Sequence, residues 1–172
     1  MSEPTAIPVV AFVGKSDSGK TTVVEGVIRA LVARGVRVAC VKRHTHDDDL
    51  DVPGKDSWRH RRAGAAVAMV SSSHALQTVR TLQRERTLDE LAAEAAPFAD
   101  ILVAEGFKSL ATERIEVSRM ARSDALVSEP VELVALVTDN AELACEGVPR
   151  FGLDEHDEIA SFVVDRYLDE GE

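Results

Sequence analysis

The octet Gly14-Lys15-Ser16-Asp17-Ser18-Gly19-Lys20-Thr21 constrains this chain more than any other stretch. It fills every fixed position of the phosphate-loop pattern G-x-x-x-x-G-K-[ST]. Val9 to Val13, just before it, is a short β-branched and aromatic run suited to a buried parallel strand. Beyond it Val23, Val24, Val27, Ile28 and Leu31 fall on one helical stripe, and Gly35 stands where that helix would end. In this order, glycine-freed backbone N–H groups close around an anion while the helix aims its positive end at it. Lys20 then reaches the β- and γ-phosphates, and the Thr21 hydroxyl takes a position on Mg²⁺. The octet, with Thr22 behind it, implies a nucleoside-triphosphate site.

A chain of 172 residues suits one domain, here residues 1–172. Aromatics make up only 4% against 45% hydrophobic residues, so the core is aliphatic, as in α/β packing. The net charge of −10 argues against nucleic acid as a partner. Cys40 and Cys145 lie in or beside apolar stretches without a C-x-x-C pattern and read as buried free thiols of a reducing cytosol. Met1 to Pro4 has neither a basic nor an apolar leader character, and Ala63 to Val79, though uncharged, is too polar to span a bilayer. The expectation is a soluble, cytoplasmic protein with no membrane partner.

Further strands are expected at Val36 to Val41, Ala66 to Val70, Leu76 to Val79, Ile101 to Ala104 and Val131 to Val137. Asp56 caps a short helix through Ala63, Thr87-x-x-Glu90 is a capping box, and Asp154 opens a last helix. Ile115 and Val117 alternate with polar residues between Arg114 and Arg119, as on a half-exposed edge strand. Met120 to Pro130 reads as irregular. These elements predict an α/β fold of the P-loop NTPase kind: a mostly parallel central sheet, helices on both faces and an antiparallel edge.

Ligands of such sheets sit beyond the carboxyl ends of the strands. That rule selects the phosphate loop, Lys42 onward, Glu105-Gly106 and Thr138-Asp139. Lys20 and Glu105 are the catalytic candidates, and Thr21 and Glu105 the candidate Mg²⁺ ligands. Asp47, Asp48, Asp49 and Asp51 sit in a loop that could close toward a metal, and His44 and His46 beside them could hold a transition metal. Thr138-Asp139 reads equally as a guanine-reading carboxylate or an Asx-turn. Lys55, Arg59, His60, Arg61 and Arg62 form a cationic cluster in an acidic protein, either an anion or partner site or a solvated helix face.

With these segments assembled, the chain resembles the MobB family of molybdopterin-guanine dinucleotide biosynthesis adaptor proteins. The matching stretches are Phe12 to Thr22, Val41 to Ala65, Ile101 to Lys108 and Arg114 to Arg119. The His/Asp-rich loop running into Pro53-Gly54-Lys55-Asp56-Ser57, followed by Glu105-Gly106-Phe107-Lys108, is far more specific than the phosphate loop alone. The resemblance implies a dimeric GTP-binding protein with weak GTPase activity that assists a MobA-type guanylyltransferase in joining GMP to molybdopterin. It makes Gly14, Gly19, Lys20 and Thr21 the phosphate and Mg²⁺ contacts and Glu105 the strand-end acid. The basic cluster, as Lys55, Arg59, Arg61 and Arg62, becomes a pterin or partner patch. Arg43-His44-Thr45-His46 departs from a family form Lys-His-Thr-His-His. Lys15 stands where deviant phosphate loops carry a lysine that reaches across a dimer. A metal-delivery GTPase and a small P-loop kinase, its lid arginines drawn from Arg114, Arg119 and Arg122, are the alternatives.

Overall fold

The computed structural model describes residues 6–44 and 49–168. They fall into two compact units, one of residues up to 44 and from 87 onward, the other of residues between 45 and 86.

The first unit is built on a six-stranded sheet. Its strands are β1 (Val9–Val13), β2 (Val38–Lys42), β5 (Ile101–Glu105), β6 (Arg114–Ser118), β7 (Leu133–Thr138) and β8 (Arg150–Phe151), in the order β2-β5-β1-β6-β7-β8. Every pairing is parallel. Alternate strand residues serve different layers, because side chains of a strand point to opposite faces. Val10, Phe12, Ile101, Val103, Ile115 and Val117 pack under helices α1 (Lys20–Ala33) and α4 (His156–Tyr167). Ala11 and Ala104 face the other way, toward Leu88 of α3 (Leu88–Ala95) and toward Phe107 and Ala111. The helices follow their signals. Thr87 and Glu90 close the expected capping box on α3, and Gly35 takes the left-handed conformation after α1. Where α1 meets α4, a Cβ on Gly26 would run into the His156 ring, so only glycine allows the two helices this approach.

The second unit holds α2 (Asp56–Arg62) and the antiparallel hairpin β3 (Val67–Ser71) and β4 (Leu76–Arg80). The antiparallel component is therefore a separate two-stranded sheet, while the main sheet is parallel throughout.

Several expectations are corrected. β6 is no half-exposed edge; it lies between β1 and β7 and is buried along its whole length. Its polar face is covered, and its two charged residues are satisfied: Arg114 Nε donates to the Ala111 carbonyl, and Glu116 accepts from the Val127 and Ser128 N–H groups. Asp56 is the first residue of α2, with Lys55 at the cap position, and Glu155 precedes α4. The two cysteines are free, but Cys40 is exposed and Cys145 half-buried. Among the described residues no helix is long and apolar enough to cross a membrane.

Candidate functional site

The phosphate loop leaves β1 through Gly14, whose φ of +147° belongs to glycine alone; a Cβ there would strike the Val117 carbonyl oxygen of β6. Asp17 and Gly19 also take positive φ, 60° and 85°. Gly19 is the cap residue of α1 and supplies no side-chain cap, so the first-turn N–H groups remain available to an anion. Lys20 folds back over the loop, its ammonium donating to the Gly14 carbonyl at 3.0 Å and the Lys15 carbonyl at 2.6 Å. Partial burial pulls its pKa below the usual lysine value; Glu105 and Asp17 oppose that, and Lys42 adds to it.

Beside Lys20 stands a three-membered polar chain. The Lys42 ammonium donates to Thr21 Oγ1 at 3.2 Å, and the Thr21 hydroxyl donates to Glu105 Oε1 at 2.8 Å. Lys42 also lies 3.0 Å from that carboxylate oxygen. Parallel pairing of β2 with β5 sets Lys42 level with Glu105, and β5 with β1 brings both beside the loop. Glu105 is 7% exposed, so its charge is held by these two partners. A hydroxyl and a carboxylate oxygen side by side at a phosphate loop fit Mg²⁺, a hard cation that takes one or two protein oxygens and fills the rest from phosphates and water. Thr21 and Glu105 are the residues that would hold it.

On the other flank, the turn after β6 bends onto the loop. Lys15 Nζ donates to Ser123 Oγ at 2.6 Å within the same chain. Arg122 lies 3.6 Å from Asp17, and the Arg119 guanidinium lies over Gly19, 3.1 Å from where a Cβ would be. Asp139, at the end of β7, anchors this turn, since its Oδ1 accepts from the Met120 N–H at 2.6 Å. Thr138 Oγ1 accepts from the Asn140 N–H, so the strand end is a local turn as well as a candidate base site. Sequence reasoning passed over Lys42 as a partner of Glu105, and it named Arg119 only as a kinase lid residue. The one signal was the position of each at a strand end.

The basic cluster belongs to the second unit. Lys55, Arg59 and Arg62 are exposed; Arg59 is 3.8 Å from Asp56, and Arg62 stacks on Trp58 at 5.5 Å. Arg61 is different: it pairs with Asp49 and lies 3.7 Å from the buried Asp51, which accepts from Ser57 Oγ at 3.0 Å. The Asp51 N–H holds the Asp49 carboxyl below the usual range; desolvation opposes it, and the Arg61 guanidinium and the Trp58 indole add to the lowering. Asp49 and Asp51 thus tie their own segment to α2 through Arg61 and Ser57. His46, Asp47 and Asp48 lie outside the described residues, and among the described ones no group of three His, Cys, Asp or Glu is placed to hold a metal.

A phosphate loop between the first strand and helix, at the carboxyl end of a parallel sheet with an acid on the neighbouring strand, defines a P-loop α/β protein. The family pattern described as "Molybdopterin guanine dinucleotide synthesis protein B", MobB, matches residues 9–139. The chain belongs to the MobB family. It is 39% identical over 137 residues to the molybdopterin-guanine dinucleotide biosynthesis adapter protein of Escherichia coli (strain K12), covering 78% of this chain and 76% of that one. The Bacillus subtilis MobB crystal structure superposes with a TM-score of 0.74 at 28% identity, over 95% of this chain and 100% of that one. A crystal structure described as molybdopterin-guanine biosynthesis protein B gives 0.68 at 29% identity, over 91% and 98%.

Proposed function

We propose that this chain is a GTP-binding adapter with weak GTPase activity that serves molybdopterin-guanine dinucleotide biosynthesis in the cytoplasm. It assists a MobA-type guanylyltransferase as that enzyme joins GMP to molybdopterin. The observation that carries the nucleotide reading is the Thr21–Glu105 contact beside Lys20, the hydroxyl–carboxylate pair that Mg²⁺-nucleotide sites use. The biosynthetic role rests on the family and on the name of the Escherichia coli relative.

Mg²⁺, when bound, would offset charge on the β- and γ-phosphate oxygens. The chain's own groups do the rest. Lys20 exchanges its two carbonyl acceptors for phosphate oxygens, and the uncapped first turn of α1 donates N–H groups to the same anion. Lys42 gives up its place on Glu105 Oε1, leaving that carboxylate to the cation side of the site. Asp139 keeps Oδ2 without a hydrogen bond among the described residues, and that oxygen accepts from guanine where adenine offers no matching donors. Lys55, Arg59 and Arg62 supply the positive surface for the pterin phosphate or the guanylyltransferase, with Arg61 ordering the loop beneath. A lone two-stranded sheet is marginal in water, and this one exposes Val67, Met69, Val70 and Leu76, so a second copy completes it as a homodimer.

Calorimetric titration of GTP and ATP, each with and without Mg²⁺, tests the nucleotide reading. GTP should bind more tightly than ATP, and Mg²⁺ should strengthen it. Absence of nucleotide binding would remove the reading. Titration of molybdopterin or the guanylyltransferase against Arg59→Ala with Arg62→Ala, at two ionic strengths, tests the adapter role; wild-type binding by the double variant would reduce the cluster to a solvated surface.

A further inference from the structure

We propose that Arg119 binds a phosphate group of the nucleotide, as an arginine supplied from within the same chain, and that residues 119–123 are a second wall of the phosphate site. The proposal rests on the nucleotide reading above and adds to it a residue on the side of the loop away from Thr21 and Glu105.

Three observations converge on this turn. It is bound to the loop at two points, Lys15 to Ser123 and Arg122 to Asp17. It is braced from behind at one more, and the segment that follows it is held as well. Asp139 holds the Met120 N–H, and the Glu116 carboxylate, 1% exposed, accepts from Val127 at 2.8 Å and Ser128 at 2.9 Å. Ser123 is itself fixed, donating to the Ala125 carbonyl at 2.6 Å. A turn so held carries its side chains in a set geometry, which is what recognition of a small anion requires.

Within that turn the cations divide. Arg122 answers Asp17, and Lys15 is taken by Ser123. The Arg119 carbonyl accepts from the Arg122 and Ser123 N–H groups, but its guanidinium has no hydrogen bond or ion pair among the described residues, although it reaches across to lie over the loop glycine before Lys20. The nearest approach to the Gly19 Cβ position is Nη2 at 3.1 Å, with Cζ at 3.5 Å and Nε at 3.8 Å. Any side chain at position 19 would occupy the space the guanidinium fills. A guanidinium presents five N–H donors in a planar fork and accepts nothing, so the ligand it suits is an oxyanion. Donors to an oxyanion already converge here, from the α1 first turn and from Lys20.

The test uses the full chain and titrates GTP, GDP and GMP into wild type, Arg119→Ala, Arg119→Lys and Lys20→Ala. Arg119→Ala should weaken GTP roughly tenfold or more, the scale of one charge-assisted contact. The loss should shrink from GTP to GMP, and Arg119→Lys, which keeps the charge but not the fork, should fall between. The nucleotide-free melting temperature should stay within about 2 °C of wild type, which a purely structural residue would not allow. Wild-type GTP affinity in Arg119→Ala, with Lys20→Ala impaired, overturns the proposal and leaves the nucleotide reading standing. No nucleotide binding by wild type overturns both. If Arg119→Ala fails to fold, Arg119→Lys decides alone: weaker GTP binding at an unchanged melting temperature supports the proposal, and unchanged binding rejects it.

Discussion

β5 and β3 are five-residue strands of similar apolar content, Ile-Leu-Val-Ala-Glu and Val-Ala-Met-Val-Ser, with opposite fates. β5 is buried at every position, its closing glutamate included, because β2 and β1 flank it. β3 pairs only with β4 and leaves all but Ala68 exposed, Met69 at 64%. Strand character is a property of the residues, but burial is a property of the neighbours. In the first unit the neighbours bury even charged groups and so fix chemistry in place; in the second, apolar side chains wait on the surface.

The largest test of that contrast is Gly14→Ala. The added Cβ strikes the Val117 carbonyl at a φ that L-residues avoid, so unfolding in urea should show a loss of about 3 kcal/mol or more. A wild-type midpoint would mean the loop is far less tightly fitted than described.

Lys20→Ala comes next. It should leave stability nearly intact and weaken GTP at least tenfold, one charge-assisted contact of about 1.5–3 kcal/mol; unchanged affinity would sink the phosphate-loop assignment. The same lysine predicts a pH effect. Its pKa is lowered in the free protein, and a bound phosphate raises it again. Between those two values binding takes up a proton, so GTP affinity should decline as pH climbs through that alkaline window. Calorimetry in buffers of different ionisation enthalpy reads the proton uptake directly; proton release there would reverse the sign and refute the argument.

Glu116→Gln is smaller. An amide accepts at one oxygen only, leaving the Val127 or Ser128 N–H unpaired at about 1–2 kcal/mol. Hydrogen exchange should speed up at those two amides; unchanged protection would show that the carboxylate does not hold residues 127–128.

Met69→Ser should be the mildest, within about 0.5 kcal/mol for the dilute chain, because its side chain is already in water. At higher concentration it should lower the mass seen by sedimentation if a second copy covers the hairpin. A large stability loss in the dilute chain would erase the contrast between the two units.

Much of the first unit was legible from residues alone. The octet, the apolar runs of β1 and β5 and the capping box at Thr87 each carry a local signal that tertiary context did not override. β6 was misjudged because alternation reports two unlike faces and cannot say what covers the polar one; here residues 111–128 do, through Arg114 and Glu116. β8 is two residues long, too short for any period. Within the site, Lys20 and Thr21 follow from the motif, whereas Lys42 and Arg119 depend on strand order. Nothing local to Lys42 says that β2 will lie beside β5, nor to Arg119 that β6 will lie beside β1.

The glycine at 26 links two positions that are 130 residues apart in the chain, since its missing side chain is the space that the His156 ring fills. Neither residue is free to drift alone. A side chain acquired at 26 has to be matched by a smaller residue at 156, or α1 is pushed off its seat and the loop at its head moves with it. Across the lineage of this chain the pair should therefore change in concert, so that the record of substitutions at 156 can be read from what happened at 26.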